Sequence, residues 1–450
     1  MFHRDIITDL LEWKKEENRK PLILRGARQV GKTSTVHLFG KSFKQYVYLN
    51  LELPKDRKLF EEYADLDHLV QALFFDRNQN AQEPDTLIFI DEIQAYPPAI
   101  QQLRYFLEQK PELFVIAAGS LLESVFDIDI SFPVGRVSFL AVRPLSFSEF
   151  LAVTGEDQAL KLLQTVPVPD FAHTKLLQLF HRYTLIGGMP EIVKAYAEKK
   201  DLTQLPKLYD GLLIPYLDDV AQYASNEANA RVLRHIIQTA MTVAGSRITF
   251  HGFGKSNYKS REIGEAFRTL EKAFFVKLIY PVTQNELPLL PDIKKSPRLQ
   301  LLDTGLVNYY SGIQKQLLGI ADLNGAYRGR ITEHIVYQEL LSLEKSLLHH
   351  PHFWVRDKKT SQAEVDVVLP IDGKLIPVEI KSGAAGKLRS LHQFMNRSDL
   401  YFGVRLYAGK FSIEKTKTIA GKPFWLINLP YFAVSQIEAY IKFYLKRDLR

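Results

Sequence analysis

Three stretches of this 450-residue sequence hold residues whose types and spacing could do chemistry. The first is Gly26-Ala27-Arg28-Gln29-Val30-Gly31-Lys32-Thr33, with Ser34 next, which matches G-x-x-x-x-G-K-[ST]. Its glycines let backbone N–H groups wrap phosphate oxygens, and a helix starting at the loop's end adds a favourable dipole. Lys32 would reach the β- and γ-phosphates as a point charge, and Thr33 would offer its hydroxyl oxygen to Mg²⁺. The second is Leu87-Ile88-Phe89-Ile90-Asp91-Glu92, an apolar run ending in two carboxylates. A rigid buried strand can deliver Asp91 to the water shell of a metal ion, with Glu92 beside it to orient and deprotonate water. Together they predict binding of a nucleoside triphosphate with Mg²⁺.

The third stretch lies near the C-terminus. Glu364–Leu369 and Lys374–Lys381 are apolar-alternating runs flanking Asp372-Gly373, a type I′ hairpin signal. That turn pairs Ile371 with Lys374, so Asp366 falls opposite Glu379 and Glu364 opposite Lys381. Alternation puts these four side chains on one face and Val365, Val367, Val378 and Ile380 on the other. Two facing carboxylates with no arginine between them call for a cation, and hard oxygen ligands suit Mg²⁺ or Mn²⁺. Lys381 could activate water or stabilise a pentavalent phosphate. The competing reading is a solvated face with a Glu364–Lys381 cross-strand ion pair.

Other residues carry weaker signals. Ser120 follows the apolar run Phe114–Ala118 and could sense the γ-phosphate or cap a helix. Arg136 and Arg143 are candidates to stabilise transition-state charge, from the same chain or a neighbouring copy, or to form surface or interdomain ion pairs. His349, His350 and His352 lack helical spacing, so a loop is expected there rather than a zinc site.

The elements that must position these groups follow from patterning. Apolar runs at Leu22–Leu24, Tyr46–Leu49, Leu87–Ile90 and Phe114–Ala118 alternate with helical patterns such as the one after Pro97-Pro98. That alternation predicts crossover units and a mostly parallel sheet. Residues 144 to 240 read as helical. Ser260–Phe275 reads as a helix leading into a strand at Phe275–Tyr280, and Lys255, Lys259, Arg261, Arg268, Lys272 and Lys277 are interspersed. This predicts a winged helix-turn-helix, able to dock in a DNA groove or to serve as a protein spacer. A Pro-rich connector follows from Leu287.

Two resemblances add to this. Leu24–Thr33, Leu87–Gln94, Ala117–Ser124, the Pro133–Phe150 segment and Gly187–Val193 together resemble a prokaryotic ATP-binding family with an AAA+-type ATPase domain and a C-terminal domain of unknown function. The likeness spans nearly the whole chain and places Arg28 and Gln29 in the P-loop signature. The Asp366…Glu379-x-Lys381 pattern resembles the PD-(D/E)xK nuclease superfamily, and Glu333 matches its N-terminal helix glutamate. The superfamily's proline is replaced by Val365.

The expected architecture is therefore a multidomain α/β chain. A P-loop NTPase core spans 1–145, a helical lid 146–235, a winged helix 236–285 and a restriction-nuclease-like domain 286–450. The resemblance implies an ATPase whose cycle controls a nucleic-acid-binding C-terminal domain, nucleolytic or not, with DNA ahead of RNA. The alternative is a non-enzymatic ATP-gated regulator of DNA or protein. AAA+-type sites are often completed by a neighbour's arginine, which allows a homo-oligomer. From Lys381 onward 13 Lys and Arg face 4 Asp and Glu, a basic end suited to a polyphosphate. Absence of cysteine removes disulfide and thiolate chemistry and fits a reducing compartment. No apolar run approaches the roughly 18 residues of a membrane span, and the charged first residues do not read as a secretory signal, so a cytoplasmic protein is expected.

Overall fold

The computed structural model describes residues 4–119, 133–218, 224, 226–314, 329–357, 363–381 and 388–445. Five strands build the first sheet: β1 Leu22–Arg25, β2 Gln45–Asn50, β3 Thr86–Asp91, β4 Phe114–Gly119 and β5 Ser138–Ala141. All pair in parallel, in the order β2-β3-β4-β1-β5. Helices cover both faces, so neither face of the central strands alternates with polar residues. Ile23, Ile88, Ile90, Val115 and Ala117 enter one core, against helices Leu66–Asp76 and Pro98–Gln109. Their neighbours Leu24, Leu87, Phe89, Ile116 and Ala118 enter another, against helices Ile6–Lys15 and Lys32–Gly40. β5 is half-exposed and was not visible as an apolar run.

Between Val142 and Val243 the described residues are mostly helical, with helices including Phe147–Val153, His173–Ile186, Pro190–Lys199, Pro206–Asp218 and Glu227–Val243. Helix Ser260–Lys272 leads into β6 Val276–Ile279, which pairs antiparallel with β8 Arg298–Leu301, and an isolated bridge joins Arg247 to Arg298. The Pro-rich stretch thus connects the two strands of one ribbon. The boundary expected at 285/286 is crossed in both directions. β7 Pro281–Val282 pairs with β9 His352–Val355, while β8 stays with β6.

The second sheet has seven strands in the order β13-β14-β12-β11-β10-β9-β7. Here β10 is Glu364–Ile371, β11 Lys374–Ile380, β12 Phe402–Tyr407, β13 Ser412–Lys417 and β14 Pro423–Pro430. β10 and β11 pair in the expected register, from Ile371 opposite Lys374 to Val367 opposite Val378. Asp372 and Gly373 both have positive φ (46° and 74°), as a type I′ turn needs. One continuous apolar core runs from Leu145 through the middle helices to Ile441, so the middle and C-terminal parts share an interior. Among the described residues no helix is long and apolar enough to cross a membrane.

Candidate nucleotide site

The loop after β1 has the backbone the motif demands. Gln29 and Gly31 lie at positive φ (61° and 91°), and Gly31 caps helix Lys32–Gly40. A Cβ on Gly26 would sit 2.1 Å from the Val142 carbonyl oxygen, so only glycine fits there. The side chain of Lys32 folds back, donating to the carbonyl oxygens of Gly26 (3.0 Å) and Ala27 (2.8 Å). Burial pulls its pKa down to about 8, against the opposing pull of Glu92 and Asp91.

The two sequence motifs meet. Thr33 Oγ1 donates to Asp91 Oδ2 at 2.7 Å, and Tyr48 reaches the same oxygen at 3.4 Å. Burial raises the pKa of Asp91, while its hydrogen bond from Thr33 opposes the rise. Glu92 takes a left-handed conformation (φ 49°) just past the strand end, and Gln94 Nε2 donates to its Oε2 at 2.5 Å. Arg28, Gln29, Gly31, Lys32, Thr33, Ser34 and Glu92 all line one cavity of about 770 Å³. Val30 and Ala27 are buried and do not line it. Hard oxygen donors from Thr33 and Asp91 at one point suit Mg²⁺.

Sequence reasoning missed the groups that hold this loop from outside. Arg4 donates to the Val30 carbonyl (3.0 Å) and the Arg143 carbonyl (2.8 Å), and pairs with Glu149 at 3.0 Å. Tyr216 donates to the Arg28 carbonyl at 2.7 Å. Pro190 and Glu191 of the Gly187–Val193 motif, and Lys194 just after it, line the same cavity. No spacing rule links residues so far apart in sequence. Ser120 lies outside the described residues. Arg136 is not at the cavity: it sits on the surface, bonded to Glu108 of helix Pro98–Gln109 at 3.0 Å. Arg143 lines other cavities.

At the C-terminal face Glu333, Asp366, Glu379 and Lys381 also come together, but not as the sequence suggests. The hairpin ladder stops at Val367–Val378, because the Ile380 N–H donates to Asp366 Oδ2 (2.8 Å) instead. Arg298 of β8 enters the face that was expected to lack an arginine. It ion-pairs with Glu364, with Glu333 at 3.3 Å and with Asp366 at 3.6 Å. The Glu364–Lys381 pair is therefore absent; Glu364 bonds Arg298 and Arg247, and Lys381 bonds Glu379 at 2.7 Å.

Burial opposes the charge of Arg298, but Tyr337, Glu333, Asp366 and Glu364 outweigh it and hold its pKa above the arginine range. Burial likewise raises the pKa values of Glu333 and Glu379. Among the described residues no group of three or more His, Cys, Asp or Glu is placed to hold a metal ion. The two carboxylates expected to hold a metal are each met by a cation of the chain, Asp366 by Arg298 and Glu379 by Lys381.

Comparison with known proteins now adds a family to the first site. Residues 18–151 match the family model described as AAA domain. This segment is similar to an AAA domain. Residues 177–317 and 328–431 match two domains of unknown function, DUF8612 and DUF4143. The first match keeps the β6–β8 ribbon with the middle helices. No curated protein matches the chain. Among solved structures, a Walker-type ATPase of Pyrococcus abyssi is 15% identical over 69% of this chain and 96% of its own, with a TM-score of 0.45. Drosophila ORC bound to DNA is 15% identical over 68% and 93%, with a TM-score of 0.29. The Thermotoga maritima RuvB Holliday junction branch migration motor is 12% identical over 65% and 93%, with a TM-score of 0.28. The AAA domain carries the fold of a parallel-sheet P-loop NTPase.

Proposed function

We propose that the chain binds ATP with Mg²⁺ in the AAA-domain cavity and hydrolyses it. The observation that carries this is the 2.7 Å hydrogen bond between Thr33 and Asp91, which joins the phosphate-binding loop to the acidic strand end. Lys32 neutralises phosphate charge, Thr33 and Asp91 hold Mg²⁺, and Glu92, lining the same cavity, accepts the proton of the attacking water. When bound, Mg²⁺ supplies charge neutralisation between the phosphates. Filling the cavity changes what Lys32 touches, and Arg4 and Tyr216 tie the loop to the lid and middle helices. The nucleotide state is thereby passed toward the C-terminal part.

That part, on this reading, contacts nucleic acid, DNA ahead of RNA, through the winged-helix-like unit at Ser260–Ile279 and the basic C-terminal segment. A second reading is favoured by one observation, the Arg298 guanidinium among Glu333, Glu364 and Asp366. It supports a nuclease-like domain that binds without cutting, under ATP control. Phosphate release by Lys32→Ala tests the ATPase. Turnover should drop about a hundredfold or more, and a wild-type rate would reject the reading. Metal-dependent DNA nicking that disappears in Asp366→Ala would reject the non-cutting form.

A further inference from the structure

A second cavity, of about 440 Å³, lies where three parts of the chain meet. The AAA domain contributes Arg25, Ala27 and Arg143 from the ends of β1 and β5. Helix Ser260–Lys272 and the β6–β8 ribbon contribute Arg268, Lys272, Phe274, Lys277 and Leu301. Helix Gly329–Leu343 and the loop after it contribute Gln338, Leu341 and His350.

The lining is rich in cations. Five Arg and Lys side chains face one carboxylate, Glu271, which is already occupied by the Leu278 N–H (2.9 Å) and approached by Lys277 at 4.0 Å. Arg143 makes no ion pair among the described residues, and its Nε is buried without a hydrogen-bond partner. The contrast with Arg4 and Arg298, each saturated by carboxylate and carbonyl oxygens, is plain. Burial draws the pKa of Arg143 down to about 10, against the opposing pull of Glu344. Unmet buried donors are costly, and an anion that accepts from them recovers that cost. The rest of the wall mixes the apolar side chains of Phe274, Val276, Leu301 and Leu341 with Gln300 and Gln338, and Arg25 lies 5.4 Å from the Phe274 ring centroid.

We propose that this cavity binds a small phosphate monoester with a flat apolar body, its phosphate accepting from Arg143 and its neighbours. The volume suits a ligand of about mononucleotide size, within the range of ordinary small-molecule pockets. The site is separate from the triphosphate cavity, with which it shares no lining residue.

The test uses the full chain saturated with Mg²⁺ and a non-hydrolysable ATP analogue, titrated with 1-naphthyl phosphate by calorimetry or naphthyl fluorescence. The expected result is one saturable site per chain that does not accept neutral 1-naphthol. Affinity should fall about tenfold or more in Arg143→Gln, as loss of a charge-assisted hydrogen bond requires. The Arg268→Gln/Lys272→Gln double variant changes only exposed side chains and so spares the fold; it should weaken binding in the same direction. Lys32→Ala should bind the probe as the unaltered chain does. The proposal is overturned by absence of saturation, by equal binding of naphthol, by unchanged affinity in the double variant, or by loss of the site in Lys32→Ala.

Discussion

Two acidic clusters sit in this molecule, and they differ in what balances their charge. Asp91 receives hydrogen bonds from the hydroxyls of Thr33 and Tyr48 and from the Glu92 N–H, while Lys32 spends its protons on carbonyl oxygens. Glu92 opens onto a large cavity. The negative charge there is left for a cation and a ligand arriving from outside. The C-terminal cluster is balanced from within, by Arg298 against Glu333, Glu364 and Asp366 and by Lys381 against Glu379. Similar sequence patterns, carboxylates closing an apolar strand, therefore yield an open site in one place and a closed one in the other. The deciding group is a single arginine on a strand far from both hairpin strands in sequence.

The largest effects come from removing what each cluster depends on. Glu92→Gln should cut ATP turnover by about 10²- to 10⁴-fold, the usual worth of a positioned general base, while leaving nucleotide binding intact. Phosphate release measured beside equilibrium binding checks both halves, and an unchanged rate would move water activation to another group. Arg298→Met should strip the closed cluster of its internal cation. Leaving buried carboxylates unpaired costs roughly 3–5 kcal/mol, read as a lower denaturation midpoint. If added Mn²⁺ restored that midpoint, the face would be a metal site held shut by Arg298, and the contrast between the clusters would narrow to one side chain.

Proton chemistry separates the two sites next. Burial lowers the Lys32 pKa to about 8 in the nucleotide-free fold, from an ordinary 10.5. Between those values the unfolded chain binds the proton and the folded one releases it, so the empty fold gains stability as pH rises through this window. ATP needs the ammonium, so its affinity should weaken by up to about tenfold per pH unit above pH 8. Arg298 keeps its proton throughout, because its carboxylate and tyrosine neighbours outweigh burial. Nucleotide titrations at a series of pH values would show the trend in the unaltered chain, and a flat profile would mean that Lys32 is charged before ATP arrives.

Much of the AAA domain was legible because its signals are local. The loop Gly26–Thr33 and the four apolar strands each carry their own pattern, and a fully buried parallel strand reads as an unbroken apolar run. The edge strand Ser138–Ala141 escaped because half-exposed residues break that run. The hairpin register was legible down to Val367–Val378, since Asp-Gly fixes it by turn geometry alone. What failed was the surroundings. Arg298 and Arg4 act across 66 and 145 positions, on Glu364 and Glu149, and no periodicity encodes such contacts. The connector from Leu287 misled for a similar reason. Prolines mark an irregular excursion but not whether it joins two domains or two strands of one ribbon.

The smallest expected effect concerns Arg136, and it tests whether the open site is complete within one chain. The guanidinium lies on the surface, shares Glu108 with Arg104, and stays outside the triphosphate cavity. An exposed pair whose carboxylate keeps a second arginine loses little when one partner goes, because water and Arg104 take over the solvation. Arg136→Ala should therefore leave both the melting temperature and the ATP turnover of a dilute, monodisperse sample unchanged. A fall in turnover that appears only as protein concentration rises would place this arginine in the cavity of a neighbouring copy. The open cluster would then be balanced across an interface, and the contrast with the self-contained C-terminal cluster would become one between shared and private sites.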